Sequence, residues 1–172
     1  TFLPVIARQS LPGSPWLDMF WPIFGLGVIG GALVASRMRT RLDLRLLLAI
    51  CYAIQALGIG VGLYSPSLAG FAFGSLLLGL PFTAITFFAM QEVRRIRPQA
   101  PAALMGLLTA LYGLGQIVGP PLAAAMLARA ATPAAGFTLS LEIAAAALVL
   151  GALLFGAMAR LWPVRPATPT QA

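Results

Sequence analysis

The sequence predicts an all-α membrane protein: a polytopic helical bundle of five full spanning helices, preceded by the end of a sixth. Three observations predict it. The chain is 60% hydrophobic and only 9% charged, with a mean hydropathy of +0.94; a soluble domain usually carries about 25% charged residues. Five apolar stretches are long enough to span, because a helix rising about 1.5 Å per residue needs roughly 20 residues to cross about 30 Å of hydrocarbon. Nine of the eleven arginines stand at 37–45, 94–97 and 160–165, in the gaps and the tail beside those stretches.

The opening "TFLPVIAR" reads as the tail of an apolar segment, so the chain is expected to be a fragment of a longer protein. The full spans are expected at 17–36, 44–64, 67–91, 102–128 and 136–160, within one transmembrane unit over 1–162. All should be helices, since lipid offers no partner to an open backbone. The alternating ten-residue pattern of an outer-membrane barrel is not present. Between the first two spans lies "RMRTRLDLR", with four arginines in nine residues. At mid-bilayer they would together cost roughly 12 kcal/mol on the insertion scale, so this stretch must be a tight turn in water or headgroups. "YSPS" joins the second span to the third, a short arginine-bearing gap near 92–101 follows the third, and "RAATPAAG" joins the last two. The tail "PVRPATPTQA", 163–172, is Pro-rich and expected to be disordered.

Alternate gaps settle the sidedness. One side holds Arg37, Arg39, Arg41, Arg45, Arg94, Arg95, Arg97, Arg160 and Arg165; the other holds Arg8 and Arg129. The positive-inside rule turns the first set to the cytoplasm, giving a multi-pass protein of the cell (inner) membrane with a cytoplasmic C-terminus. Trp16, Trp21, Tyr64 and Trp162 fall near span ends, as an aromatic belt does. The net charge of +7 is therefore topological and points to no nucleic-acid partner. With no histidine, a single cysteine (Cys51) inside a span and no clustered acids, the sequence shows no metal set and no catalytic nucleophile arrangement. No cofactor and no enzymatic activity are expected.

Within the spans, small residues recur four apart at Gly27 and Gly31, Gly58 and Gly62, Gly70 and Gly74, and Gly115 and Gly119. That spacing lets helices pack closely and also suits faces that slide. Pro22, Pro81 and the pair Pro120–Pro121 are expected to kink their helices, the last three freeing the carbonyls of Leu77, Gln116 and Ile117. Gln116, with Tyr112 one turn earlier, is a candidate cavity lining or an interhelical hydrogen bond; Thr83 and Thr86 add hydroxyls after Pro81. Asp18 either caps the first span or titrates as a coupling site. Glu142, about two turns into the fifth span, should be paired or protonated, or serve coupling. Asp43 and Glu92 flank the arginine gaps and are expected to pair with arginines there.

These residues resemble the C-terminal half of a major facilitator superfamily (MFS) transporter. "ALVASRMRTR", 32–41, is similar to the family's loop motif Gly-x-x-x-Asp-Arg-x-Gly-Arg-Arg, with Arg37 and Arg41 at basic positions, while Ala32, Ser36, Arg39 and Thr40 depart from it. "GLLTALYGLGQIVGPPLA" and "FFAMQEVRR" resemble the eleventh and tenth helices of the YbfB/YjiJ-type branch. The resemblance implies that the five spans are helices eight to twelve of a twelve-helix fold, and that the missing N-terminal half is a partner. It implies a secondary active transporter of a small solute working by alternating access. Helices eight, ten and eleven would line a cavity with Trp21, Thr83, Thr86, Tyr112 and Gln116, more plausibly than with Gln55 or Glu142. Arg37 or Arg41 with Glu92 would close a cytoplasmic gate. The alternative is a polytopic scaffold or receptor-like subunit without transport. Membrane lipid and an unidentified small molecule are the remaining partners implied.

Overall fold

Helix formation follows the apolar stretches closely. The structure is a computed structural model that describes residues 19–38, 42–65 and 67–163. Helix α1 is Phe20–Arg37, α2 Leu44–Tyr64, α3 Leu68–Ile96, α4 Pro101–Arg129 and α5 Pro133–Leu161. All five are long and apolar enough to cross a membrane, and no strand occurs among the described residues. The expected end of a sixth span, Asp18, Arg39, Arg41 and the tail beyond Pro163 lie outside the described residues.

Capping chemistry sets the helix ends together with hydropathy. Asp43 caps α2 by accepting from the Arg45 backbone N–H at 2.9 Å, and Ser67 caps α3 by accepting from that of Gly70 at 3.0 Å. Helix α3 continues past its apolar run through Arg94 and Arg95 and stops just ahead of Pro98, whose ring disfavours helix at the preceding residue. Helix α5 starts at Pro133 rather than at 136, because Thr132 accepts from Ala135 N and a proline is well placed at the first helical position. Pro22 stands in the first turn of α1, where its missing N–H has no helical partner to lose, so it does not break that span. Pro81 in α3 and Pro120–Pro121 in α4 lie inside helices that run on through them.

Helix α3 is the centre of the packing: α1 and α2 both run along it, while α5 packs on α2 and α4 rests mainly on α5. Glycine sets the α3 contacts. A methyl on Gly31 would collide with the Leu80 carbonyl, and one on Gly79 with that of Phe24, so α1 and α3 approach backbone to backbone. Gly58 and Gly74 do the same between α2 and α3, each facing the other's carbonyl. In lipid such approach replaces the hydrophobic effect as the source of association. The other expected pairs differ. Gly70 faces Ser65 of its own turn, and Gly115 and Gly119 on α4 face open space. Between α2 and α5 the Tyr52 and Phe155 rings lie 5.6 Å apart, with Gly151 making room for the Tyr52 ring.

Candidate functional site

Two interhelical bonds hold α3 on either side of Pro81. Gln55 Nε2 on α2 donates to the Leu78 carbonyl at 3.4 Å, and Thr83 Oγ1 donates to the Val28 carbonyl of α1 at 3.3 Å. A proline lacks the N–H that holds the preceding turn. A side chain of α2 and a backbone carbonyl of α1, the latter reached by α3's own Thr83, thus brace the weakened segment. Thr83, expected to face a cavity, is half-buried and spends its hydroxyl on this brace; Thr86, one turn past Phe82, is exposed.

Trp21 is 53% exposed and meets Phe24 edge-on at 5.7 Å; Phe24 in turn meets Phe82 at 5.6 Å. The aromatic run therefore joins α1 to α3 beside the threonines. Tyr112 and Gln116 stand one turn apart on α4, both exposed. Helix α4 has no buried residue at all, and the Gln116 amide has no hydrogen-bond partner among the described residues. The structure thus groups the expected cavity residues into two sets, one on α1 and α3 and the other on α4. Glu142 on α5 is exposed and makes no ion pair among the described residues.

At the arginine-rich end the geometry is tighter. The start of α2 lies beside the ends of α3 and α5. Arg45 Nε donates to Glu92 Oε1 at 2.9 Å, and its Nη1 donates to the carbonyls of Met158 at 3.2 Å and Trp162 at 3.0 Å. Arg95 Nε donates to the other carboxylate oxygen of Glu92 at 2.7 Å. One guanidinium therefore joins α2, α3 and the C-terminus of α5, where orphan carbonyls and the helix dipole both favour a cation. Glu92 is buried between two arginines, the charge-assisted arrangement that makes burial of a carboxylate tolerable.

The partners of Glu92 here are not the arginines named as its gate partners from sequence. Glu92 pairs with Arg45 and Arg95, whereas Arg37 is exposed at the end of α1 and Arg41 lies outside the described residues. Asp43 spends its side chain on capping α2. The signal for Arg45 was its register: it lies in the first turn of α2, three residues before Leu48, which is 1% exposed, and on the face that also carries Tyr52 and Gln55. A residue one turn from a buried leucine on the same face points inward.

A family model described as "Uncharacterised MFS-type transporter YbfB" matches residues 1–156. The chain belongs to this family. It is a multi-pass membrane protein of a transporter family, and its five spanning helices are part of an MFS-type fold. No curated protein and no solved structure matches it. Ser36, which departs from the general motif, lies near the end of α1 at the same end of the bundle as the Arg45–Glu92–Arg95 cluster.

Proposed function

We propose that this chain is the C-terminal half of a secondary active transporter that moves a small solute by alternating access, without chemistry on the solute. The observation that carries it is α4, a spanning helix with no buried residue that presents Tyr112 and Gln116 without hydrogen-bond partners among the described residues. An amide left unbonded in hydrocarbon costs about 1–3 kcal/mol or more. That cost is avoided if this face meets a water-filled cavity and a second half. Trp21, Thr83 and Thr86 on α1 and α3 supply the opposite wall in this reading.

The arginine-rich end faces the cytoplasm of the cell (inner) membrane by charge placement. There the Arg45–Glu92–Arg95 cluster acts as part of the cytoplasmic gate, with Arg37 and Arg41 in the adjoining loop. Asp18 and Glu142 are the coupling candidates within this chain.

Cysteine accessibility tests the cavity without knowledge of the solute. In the full-length carrier freed of other cysteines, Gln116→Cys should react with a membrane-impermeant methanethiosulfonate, and Ile143→Cys, exposed on α5, which this reading turns to lipid, should not. Equal inertness at both positions would overturn the reading and return weight to a scaffold role.

A further inference from the structure

Helices α1 and α2 both pack along α3 but barely meet each other. Near the arginine-rich end their divergence leaves a groove of about 160 Å³ with α3 as its floor. Val34 and Met38 form one wall, Ile50 and Ile54 the other, and Pro81 and Ala84 the floor. The rims are open, since Val34, Met38 and Ile50 are each more than a third exposed. Glycine and proline cause the groove: Gly31 draws α1 onto α3 without filling the space beside it, and Pro81 and Ala84 are short side chains where the floor needs bulk.

An apolar cavity of this kind does not hold water, and left empty its lining forfeits dispersion contacts. At this depth in a bilayer the apolar species present is the lipid chain. Charge at the mouth says which lipid. Arg37 lies one turn beyond Val34 on the same face, is exposed, and has no carboxylate partner among the described residues. The two described carboxylates at this end are already engaged, Asp43 as a helix cap and Glu92 between Arg45 and Arg95. Arg37 does not line the groove itself but stands at the end of α1 between the lining residues Val34 and Met38, where a headgroup would sit above a chain in the groove.

We propose that the groove between α1, α2 and α3 binds one acyl chain of an anionic phospholipid, with the phosphate held at Arg37. The groove is separate from α4 and from the Arg45–Glu92–Arg95 cluster; Arg37 adjoins the proposed gate, but lipid labelling reads the groove without reference to transport. The chain fills the groove, and the arginine selects the headgroup.

The test uses the full-length carrier in phosphatidylcholine nanodiscs doped with phosphatidylglycerol bearing a diazirine on its acyl chain. After irradiation, adducts are located by mass spectrometry. They should concentrate on groove residues such as Ile50, Cys51 and Ala84, and unlabelled phosphatidylglycerol should compete far better than phosphatidylcholine. Arg37→Gln should lower groove adducts about fivefold, the factor expected for one arginine at an anionic surface. Ala84→Phe, which fills the groove, should abolish them while leaving adducts on α5 unchanged. Adducts spread evenly over the exposed faces of α4 and α5, or equal competition by the two lipids, would overturn the proposal. So would a groove that remains unlabelled in every lipid, the result expected if a protein segment covers it.

Discussion

Arg45 and Glu92, 47 residues apart in sequence, meet at 2.9 Å with both side chains largely buried, and the same guanidinium caps the end of α5. Removing the carboxylate leaves two arginines facing each other without their shared anion. Glu92→Gln should therefore destabilise the folded carrier by about 1–3 kcal/mol, the range for loss of a buried charge-assisted partner. A lowered Tm in detergent, with expression retained, checks this. On the proposed gating role, the same variant should raise thiol labelling of cytoplasmic-side cysteines. Labelling that stays at the wild-type rate would remove the cluster from the gate while leaving its structural role intact.

Arg45 makes two kinds of bond, and lysine keeps only one kind. A lysine is a point charge without the planar fork, so Arg45→Lys can still neutralise Glu92 but cannot also reach both carbonyls at the end of α5. Hydrogen exchange over 158–162 should accelerate in Arg45→Lys, with the end of α3 little changed. In a double-mutant cycle, Arg45→Met with Glu92→Met should cost less than the sum of the singles, because the double variant leaves neither member of the buried pair unpaired and only the part-exposed Arg95 without its carboxylate. Strict additivity would mean that the two residues are not energetically linked.

The helices were legible in the sequence because lipid imposes a simple rule on apolar length. All five spans appear, and α2 has the expected bounds. The α5 start moved because Thr132–Pro133, a cap followed by a first-turn proline, lies ahead of the apolar run and carries no hydropathy signal. The packing glycines were partly legible: spacing of four marks Gly27 with Gly31, and Gly58, but it cannot say that a Cβ on Gly62, Gly115 or Gly119 would meet nothing among the described residues. At the arginine-rich end, composition identified the cluster but not the partner. Four arginines of one chemistry are distinguished only by helix register, which puts Arg45 on the buried face of α2 and leaves Arg37 exposed. Gln55 was passed over for a similar reason: its acceptor is a backbone carbonyl on α3, which no residue letter records.

Neighbouring glycines on α1 offer a controlled comparison. A Cβ on Gly31 would run into the α3 backbone at Leu80, whereas Gly30 has nothing within 4 Å. Gly31→Ala must push α1 off α3 and should cost about 1–3 kcal/mol, the range for overpacking a tight contact. Gly30→Ala should be neutral or slightly stabilising through its better helix propensity. Tm measurements on the two variants should separate clearly. A Gly31→Ala carrier as stable as wild type would show that the α1–α3 contact is looser than the backbone approach implies.

Two polar side chains inside the bundle should respond in opposite directions when made apolar. Gln55 donates to the Leu78 carbonyl, so Gln55→Leu loses an interhelical bond of the kind worth about 0.6 kcal/mol in membranes. Ser75 is fully buried on α3, and its hydroxyl has no hydrogen-bond partner among the described residues. Ser75→Ala removes an unsatisfied donor and little volume, so it should stabilise the carrier by about 1 kcal/mol, the lower part of the range for an unpaired buried hydroxyl. The two positions bear on α3 through different neighbours, and their effects should add within about 0.5 kcal/mol. Unfolding in graded denaturing detergent reads all three variants. A Ser75→Ala loss of stability would mean that the hydroxyl finds a partner in the complete carrier, and a shift shared with Gln55→Leu would place that partner on α2.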